Sequence, residues 1–164
     1  MGTNNIALIY GSDTGITELV VSLITKKLNL ELDVIEAFSI KPEDFQRYDR
    51  IIIGIPTWYD GDLQSDWEEY FEEFQTIDFT DKTVAIFGLG DQLGYEEWFC
   101  DGVGILAEVV LKNGGTVIGY TDKDESYDFE TTPKSIIKDD VFYGLCIDED
   151  NQGELTQDRL SKWV

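Results

Sequence analysis

Histidine is missing from this chain altogether. Its absence excludes Ser-His-Asp and Cys-His nucleophilic catalysis, imidazole metal ligation and histidine acid–base chemistry. Only two cysteines occur, Cys100 and Cys146, too few for a zinc framework and too widely spaced for a CxxC redox pair. Apolar and aromatic residues flank both, so they read as buried free thiols rather than as a disulfide. Cations are scarce as well: 12 Lys and Arg stand against 34 Asp and Glu, a net charge of −22. Such a surface repels nucleic acid and anionic lipid, and attracts proteins with basic faces. No apolar run is long enough to span a bilayer. Residues Met1-Gly2-Thr3-Asn4-Asn5 lack the basic and apolar regions of a secretory signal, and Ile6 breaks the myristoylation pattern. A soluble, cytoplasmic protein without nucleic-acid contacts or membrane insertion is expected.

What is present is a regular alternation of apolar strands and amphipathic helices over 164 residues, a length that suits one domain. Ile6–Tyr10, Ile51–Ile55 and Thr83–Phe87 are near-continuous apolar runs, as strands covered on both faces should be. Proline 56 should stop the second of these. Leu32 and Val34, extended toward Ala37 and Phe38, give a weaker strand suited to a sheet edge. Ile16, Leu19, Val20, Leu23, Ile24 and Leu28 recur at helical spacing. Leu63, Trp67, Tyr70, Phe71 and Phe74 do so again, and Val103, Leu106, Ala107, Val110 and Leu111 once more before Asn113-Gly114-Gly115. A strand beginning at Thr116 is followed by about twenty polar residues before β character resumes at Val141, and so long a segment suggests a functional role. A last helix should start near Thr156, capped by its hydroxyl, with Leu155 and Leu160 as a hydrophobic staple. The whole reads as an α/β fold with a doubly wound, five-stranded parallel sheet. Ligands of such sheets sit beyond the carboxyl ends of the strands, where strand order reverses.

Three loops meet that edge. The first, Gly11-Ser12-Asp13-Thr14-Gly15-Ile16-Thr17, runs from strand to helix and holds no lysine or arginine. Backbone N–H groups at a helix N-terminus, with hydroxyls from Ser12, Thr14 and Thr17, make an anion nest. It suits a phosphate monoester that is bound and kept. The second loop carries Pro56-Thr57-Trp58-Tyr59-Asp60-Gly61, and the third Leu89-Gly90-Asp91-Gln92-Leu93-Gly94-Tyr95. Trp58 and Tyr95 can hold a planar heterocycle between them, each stacking contact adding ~0.5–1.5 kcal/mol beyond area burial.

These three loops, in this order, resemble those of the flavodoxins. Tyr10–Thr17 is similar to the flavodoxin phosphate loop. Pro56-Thr57-Trp58 with Gly61, Leu63-Gln64 and Ser65-Asp66-Trp67 resembles the second flavin loop, and Gly90-Asp91-Gln92 with Gly94-Tyr95 and Phe99-Cys100-Asp101 the third. The likeness covers nearly the whole chain. Residues 121–140 match the insertion that splits the fifth strand in long-chain flavodoxins, and Asp148–Gln152 before the last helix is similar too. The resemblance implies one flavodoxin-like domain over 1–164, strand order 2-1-3-4-5, and non-covalent FMN. Ser12, Asp13, Thr14, Gly15, Ile16 and Thr17 would hold the phosphate, with Thr57 reaching the phosphate or ribityl chain beside Pro56. Trp58 and Tyr95 would cover the two flavin faces. Asp91, with main chain at Leu89, Gly90 and Gln92, would read the pyrimidine edge. Backbone at Tyr59-Asp60-Gly61 would meet flavin N5, where flavodoxins turn a peptide over on reduction. Four positions depart from the family pattern. Ile16 replaces a common amide or lysine, Trp98 a small or polar residue, and Tyr59-Asp60 makes the second turn bulkier and more acidic.

The function so implied is that of a monomeric, low-potential one-electron carrier that stands in for ferredoxin. Its partners would be ferredoxin–NADP reductase, photosystem I or other ferredoxin-dependent enzymes. A carboxylate about 10 Å from the ring costs the reduced flavin ~0.4–1.7 kcal/mol, or ~20–70 mV for one electron, and Asp60, Asp62, Asp91, Glu96 and Glu97 are candidates. The alternative on the same fold is an FMN-dependent NAD(P)H:quinone oxidoreductase, which needs an open stacking face that Trp58 and Tyr95 would fill. A phosphoacceptor signalling module fits poorly, because the third strand ends Ile55-Pro56-Thr57 without the aspartate that chemistry requires. The acids of residues 121–140 (Asp122, Asp124, Glu125, Asp128, Glu130) suggest that this segment recognises partners.

Overall fold

The computed structural model describes residues 6–11, 16–28, 32–58, 62–63, 65–90, 100–123, 135, 141–148 and 152–163. Strand β1 (Ile6–Tyr10) leads through the first loop to helix α1 (Ile16–Leu28), and edge strand β2 (Asp33–Glu36) follows. A short helix α2 (Pro42–Arg47) returns the chain to β3 (Arg50–Trp58). A two-residue strand β4 (Asp62–Leu63) turns back on β3 before α3 (Ser65–Phe74), β5 (Thr83–Leu89) and α4 (Asp101–Lys112). Beyond these lie β6 (Thr116–Ile118), a clasp of β7 (Thr121–Asp122) with β8 (Val141–Phe142), then β9 (Leu145–Ile147) and α5 (Thr156–Trp163).

The main sheet runs β2-β1-β3-β5-β6, all parallel, and β9 also lies parallel to β5. β6 pairs with the first half of β5 (Thr83–Ala85) and β9 with the second (Phe87–Leu89). With β6 and β9 as two halves of one strand, the expected order 2-1-3-4-5 is observed. Strand order reverses between β1 and β3.

The alternation of side chains along each strand divides the core in two. Ala7, Ile9, Ile51, Ile53, Ile55, Val84 and Ile86 face α2, α3 and α4. Leu8, Tyr10, Phe87, Leu145 and Ile147 face α1 and α5 through Val20, Val21, Ile24 and Leu160. β1 is buried at every position, which is why it reads as an unbroken apolar run. Under α2 and α3, Phe45, Trp67, Phe74 and Phe79 pack with ring centroids 5.5–5.8 Å apart, mostly edge to face, the arrangement their quadrupoles favour.

Several local expectations change. β3 continues through Pro56 to Trp58 rather than stopping at the proline. The Gly54 carbonyl faces β1, where it accepts from the Gly11 N–H at 3.2 Å. Sides alternate along a parallel strand, so Pro56 presents its missing donor to that same side, beyond the end of β1. Leu63 lies in β4, opposite Thr57, and not on the helix. Ala37 and Phe38 form a 3-10 turn that ends the edge strand. Leu19 is exposed, and the buried stripe of α1 runs through Thr17, Val20, Val21 and Ile24. Helix α2, not anticipated, starts with Pro42 at its head and with the Asp44 carboxylate accepting from the Lys41 N–H at 2.9 Å, both good starting devices. Thr156 is itself helical, entered through a 3-10 turn over Gly153–Leu155. Its hydroxyl is buried without a partner among the described residues, so the expected cap is not made.

Between β8 and β9 the backbone passes so close to β5 that a Cβ on Gly144 would lie 1.9 Å from the Ile86 carbonyl oxygen. Neither backbone can yield there without breaking the sheet. Gly144→Ala should therefore lower stability by about 1–3 kcal/mol or more, read as a fall in the urea midpoint. Conversely, Tyr70 buries a hydroxyl with no partner among the described residues. Tyr70→Phe removes that desolvated group and should leave stability unchanged or raise it by about 1 kcal/mol.

Candidate functional site

The carboxyl ends of β1, β3 and β5 converge at one edge of the sheet. Tyr10 is the register partner of Gly54, and Pro56 that of Leu89, so the three loops leave from neighbouring points. The Gly54 carbonyl receives two donors, the Gly11 N–H and the indole N–H of the fully buried Trp67, each at 3.2 Å. Gly11 opens the first loop, and Trp67 stands in the first turn of α3, just after the second. The third loop is anchored at its start, where the Gly90 N–H donates to the Ile147 carbonyl of β9 at 3.0 Å.

Gly54 and Trp67 are thus the residues that set the loops' origins, and sequence reading assigned neither to the site. A glycine inside an isoleucine run was the available signal. A Cβ there would sit 2.2 Å from the tip of the Phe87 ring.

Of the residues expected at the site, Ile16 opens α1 and Thr17 follows it, only 2% exposed in the helix's first turn. Pro56 is buried in β3, Thr57 and Trp58 complete that strand opposite Leu63 and Asp62, Leu89 ends β5 and Gly90 follows it. The structure brings these together at the reversal point. Ser12, Asp13, Thr14, Gly15, Tyr59, Asp60, Gly61, Asp91, Gln92 and Tyr95 lie outside the described residues, as do most of 121–140, Trp98 and the acids Glu96 and Glu97.

This edge receives the first loop, whose sequence holds no lysine or arginine. The 13-residue helix α1 directs its N-terminus toward it, with Glu18 in the first turn and Lys26 and Lys27 in the last. That arrangement complements the dipole and places both lysines at the end remote from the first loop. A buried threonine at the head of a helix fits a phosphate ester, and β3, which lies between β1 and β5, runs on past the end of β1 to Trp58. No group of three or more Cys, Asp or Glu positioned for a metal ion occurs among the described residues.

Tyr10, at the base of the first loop, donates to Glu36 Oε1 at 3.0 Å. Burial first, and the Glu36 carboxylate second, push its pKa up to about 12. Tyr70 is likewise pushed to about 12, by burial and then by nearby carboxylates.

The sequence profile of the flavodoxin family matches residues 8–163. The chain is 45% identical over 159 residues to the flavodoxin of Haemophilus influenzae, covering 96% of this chain and 90% of that protein. It is 42% identical over 161 residues to the flavodoxin of Synechocystis, covering 97% and 93%. Among solved structures it is similar to the Fusobacterium nucleatum flavodoxin bound to flavin mononucleotide, with a TM-score of 0.88 at 33% identity over 96% of this chain and 93% of that one. No helix among the described residues is long and apolar enough to cross a membrane.

The tyrosines give a pH test with a defined sign. Their raised folded-state pKa means that the unfolded chain loses the phenolic protons first, near pH 10. The stability they contribute is whole below about pH 10 and drains away as pH rises toward about 12. Urea midpoints should fall steeply between about pH 10 and about pH 11.5, and Tyr10→Phe should flatten that fall.

Proposed function

The chain belongs to the flavodoxin family, and we propose that it is a low-potential one-electron carrier that uses non-covalently bound FMN to shuttle electrons between redox proteins in place of ferredoxin. Flavodoxins are electron-transfer proteins rather than enzymes, which sets the quinone-reductase alternative aside. The observation that carries the reading is the meeting of three loop origins at the strand-order reversal, beside a helix N-terminus with a buried threonine and no basic side chain in its turn. Such an edge suits a dianionic phosphate attached to a planar ring.

The bound flavin supplies the redox chemistry, and the chain's own groups bind, orient and tune it. Ser12, Asp13, Thr14, Gly15, Ile16 and Thr17 would hold the phosphate through amides and hydroxyls. Ile16 serves through its backbone N–H, so the loss of a polar side chain there leaves the nest usable. Thr57, beside Pro56, would reach the phosphate or ribityl chain. Trp58 and Tyr95 would cover the ring faces, and Asp91 with the backbone of Leu89, Gly90 and Gln92 would read the pyrimidine edge. The backbone of Tyr59-Asp60-Gly61 would stand by N5. A phosphate uncompensated by any nearby cation, with carboxylates at Asp60, Asp62, Asp91, Glu96 and Glu97, disfavours added electrons and lowers the potential.

The partners that fit are redox proteins with basic docking faces: ferredoxin–NADP reductase, photosystem I or other ferredoxin-dependent enzymes. A net charge of −22 steers such encounters and makes them salt-sensitive. The acids of 121–140 would contribute to recognition, and the carrier would act as a monomer.

The direct test is reconstitution. The purified chain should turn yellow with FMN, and Trp58→Ala or Tyr95→Ala should each weaken FMN binding by about tenfold, near the upper end of a stacking contact. A chain that stays colourless in excess FMN refutes the reading. Potentiometry should resolve two one-electron steps, the second strongly reducing. Electron delivery from ferredoxin–NADP reductase should slow by at least about tenfold between low salt and ~0.5 M salt.

A further inference from the structure

Cys100 and Cys146 take no part in the flavin chemistry proposed above, yet both are fully buried, neither is in a disulfide, and both lie in one core cluster. Cys146 is the register partner of Gly88 on β5, and register partners project from the same face of a parallel sheet. That face is the one α4 covers: a Cβ on Gly88 would lie 2.3 Å from Val103 Cγ2 and 3.8 Å from the Cβ of Cys100. Cys146 lies near enough to Cys100 to raise its thiol's pKa. Both cysteines also belong to the same buried cluster as Val103 and Phe142.

We propose that Cys100 and Cys146 form a dithiol site that a small peroxide closes to a disulfide, joining the head of α4 to β9. The place gives the bond a consequence. Cys100 directly follows the third loop, and Cys146 precedes Ile147, whose carbonyl holds Gly90 at the loop's start. The disulfide therefore ties together the two ends of segment 91–99.

The chemistry balances with hydrogen peroxide as the co-reactant. One sulfur attacks a peroxide oxygen, the O–O bond breaks, and the leaving oxygen departs as water once it has gained a proton. The sulfenic acid left behind is attacked by the second sulfur, forming the S–S bond and releasing its oxygen as a second water. Two electrons pass from the thiols to the peroxide, and both thiol protons end in water. Burial, and next to it the neighbouring Cys146, push the Cys100 thiol up. Closure is accordingly slow at neutral pH and faster in alkali. A reagent of two heavy atoms reaches such a pair sooner than a bulky disulfide does.

The experiment is to expose the folded chain to hydrogen peroxide, quench, unfold, alkylate with iodoacetamide and weigh the product. Before exposure both cysteines should alkylate. After it neither should, the mass should drop by two hydrogens, the urea midpoint should rise, and dithiothreitol should reverse all three changes. Cys100→Ser and Cys146→Ser should each abolish the two-hydrogen loss. Two alkylatable cysteines after exposure, a gain of oxygen without cross-linking, or a covalent dimer in place of the internal bond would each overturn the proposal. The wild-type result decides even where a serine variant folds poorly, and it stands whether or not FMN binds.

Discussion

A single backbone carbonyl, that of Gly54, fixes where the loops of the candidate site begin. It takes the N–H of Gly11 from one side and the indole N–H of Trp67 from another, so the start of the first loop, the middle of β3 and the head of α3 share one atom. The residue must be glycine because the Phe87 ring lies where its Cβ would stand. Phe87 itself is buried against α5 through Trp163, so the constraint reaches from one face of the sheet to the other. A charge-free, fully buried junction of this kind is rigid, and rigidity is what a site made of loops needs from its frame.

Around this frame the charge is arranged by omission. The core strands are apolar, the acids crowd the exposed faces of helices such as Glu68, Glu69, Glu72 and Glu73 on α3, and the few lysines of α1 sit at the end away from the loops. The head of α1 thus carries an acid and its tail two lysines, in a chain whose net charge is −22.

Strands β1, β3 and β5 were legible in the sequence because burial on both faces leaves an unbroken apolar run. The order of the loops along the chain, once recognised, pointed to the family that the profile match shows. The misreadings have physical causes. Leu19 was assigned inward by residue type, whereas α1 buries the polar Thr17 beside the site and rotates Leu19 to solvent. Pro56 was read as a stop, because the sequence does not say that β1 ends just where the missing N–H would have mattered. Helix α2 offers only Phe45 to the core, too little periodicity to register against its polar neighbours. The meeting of Cys100 with Cys146 depends on which half of the last strand lies against β5, a tertiary fact with no local signature. The residues proposed to contact a ligand are visible as types in loops. Of those that aim the loops, Gly54 shows in the sequence only as a glycine out of place, and Trp67 as one apolar position on a helix.

The division of the last strand between β6 and β9 has an architectural outcome. Each half docks on its own stretch of β5, and the chain that departs and returns between them is pinched shut by Thr121 and Asp122 against Phe142 and Val141, with the Thr121 hydroxyl donating to the Gly144 carbonyl at 2.6 Å. Exit and re-entry are therefore neighbours, whatever lies beyond the pinch. Ser135, inside that excursion, is fully buried, and its carbonyl accepts from the Tyr143 N–H at 2.8 Å, so the excursion is tied back to the turn that joins β8 to β9 and any graft there has to keep that one tether.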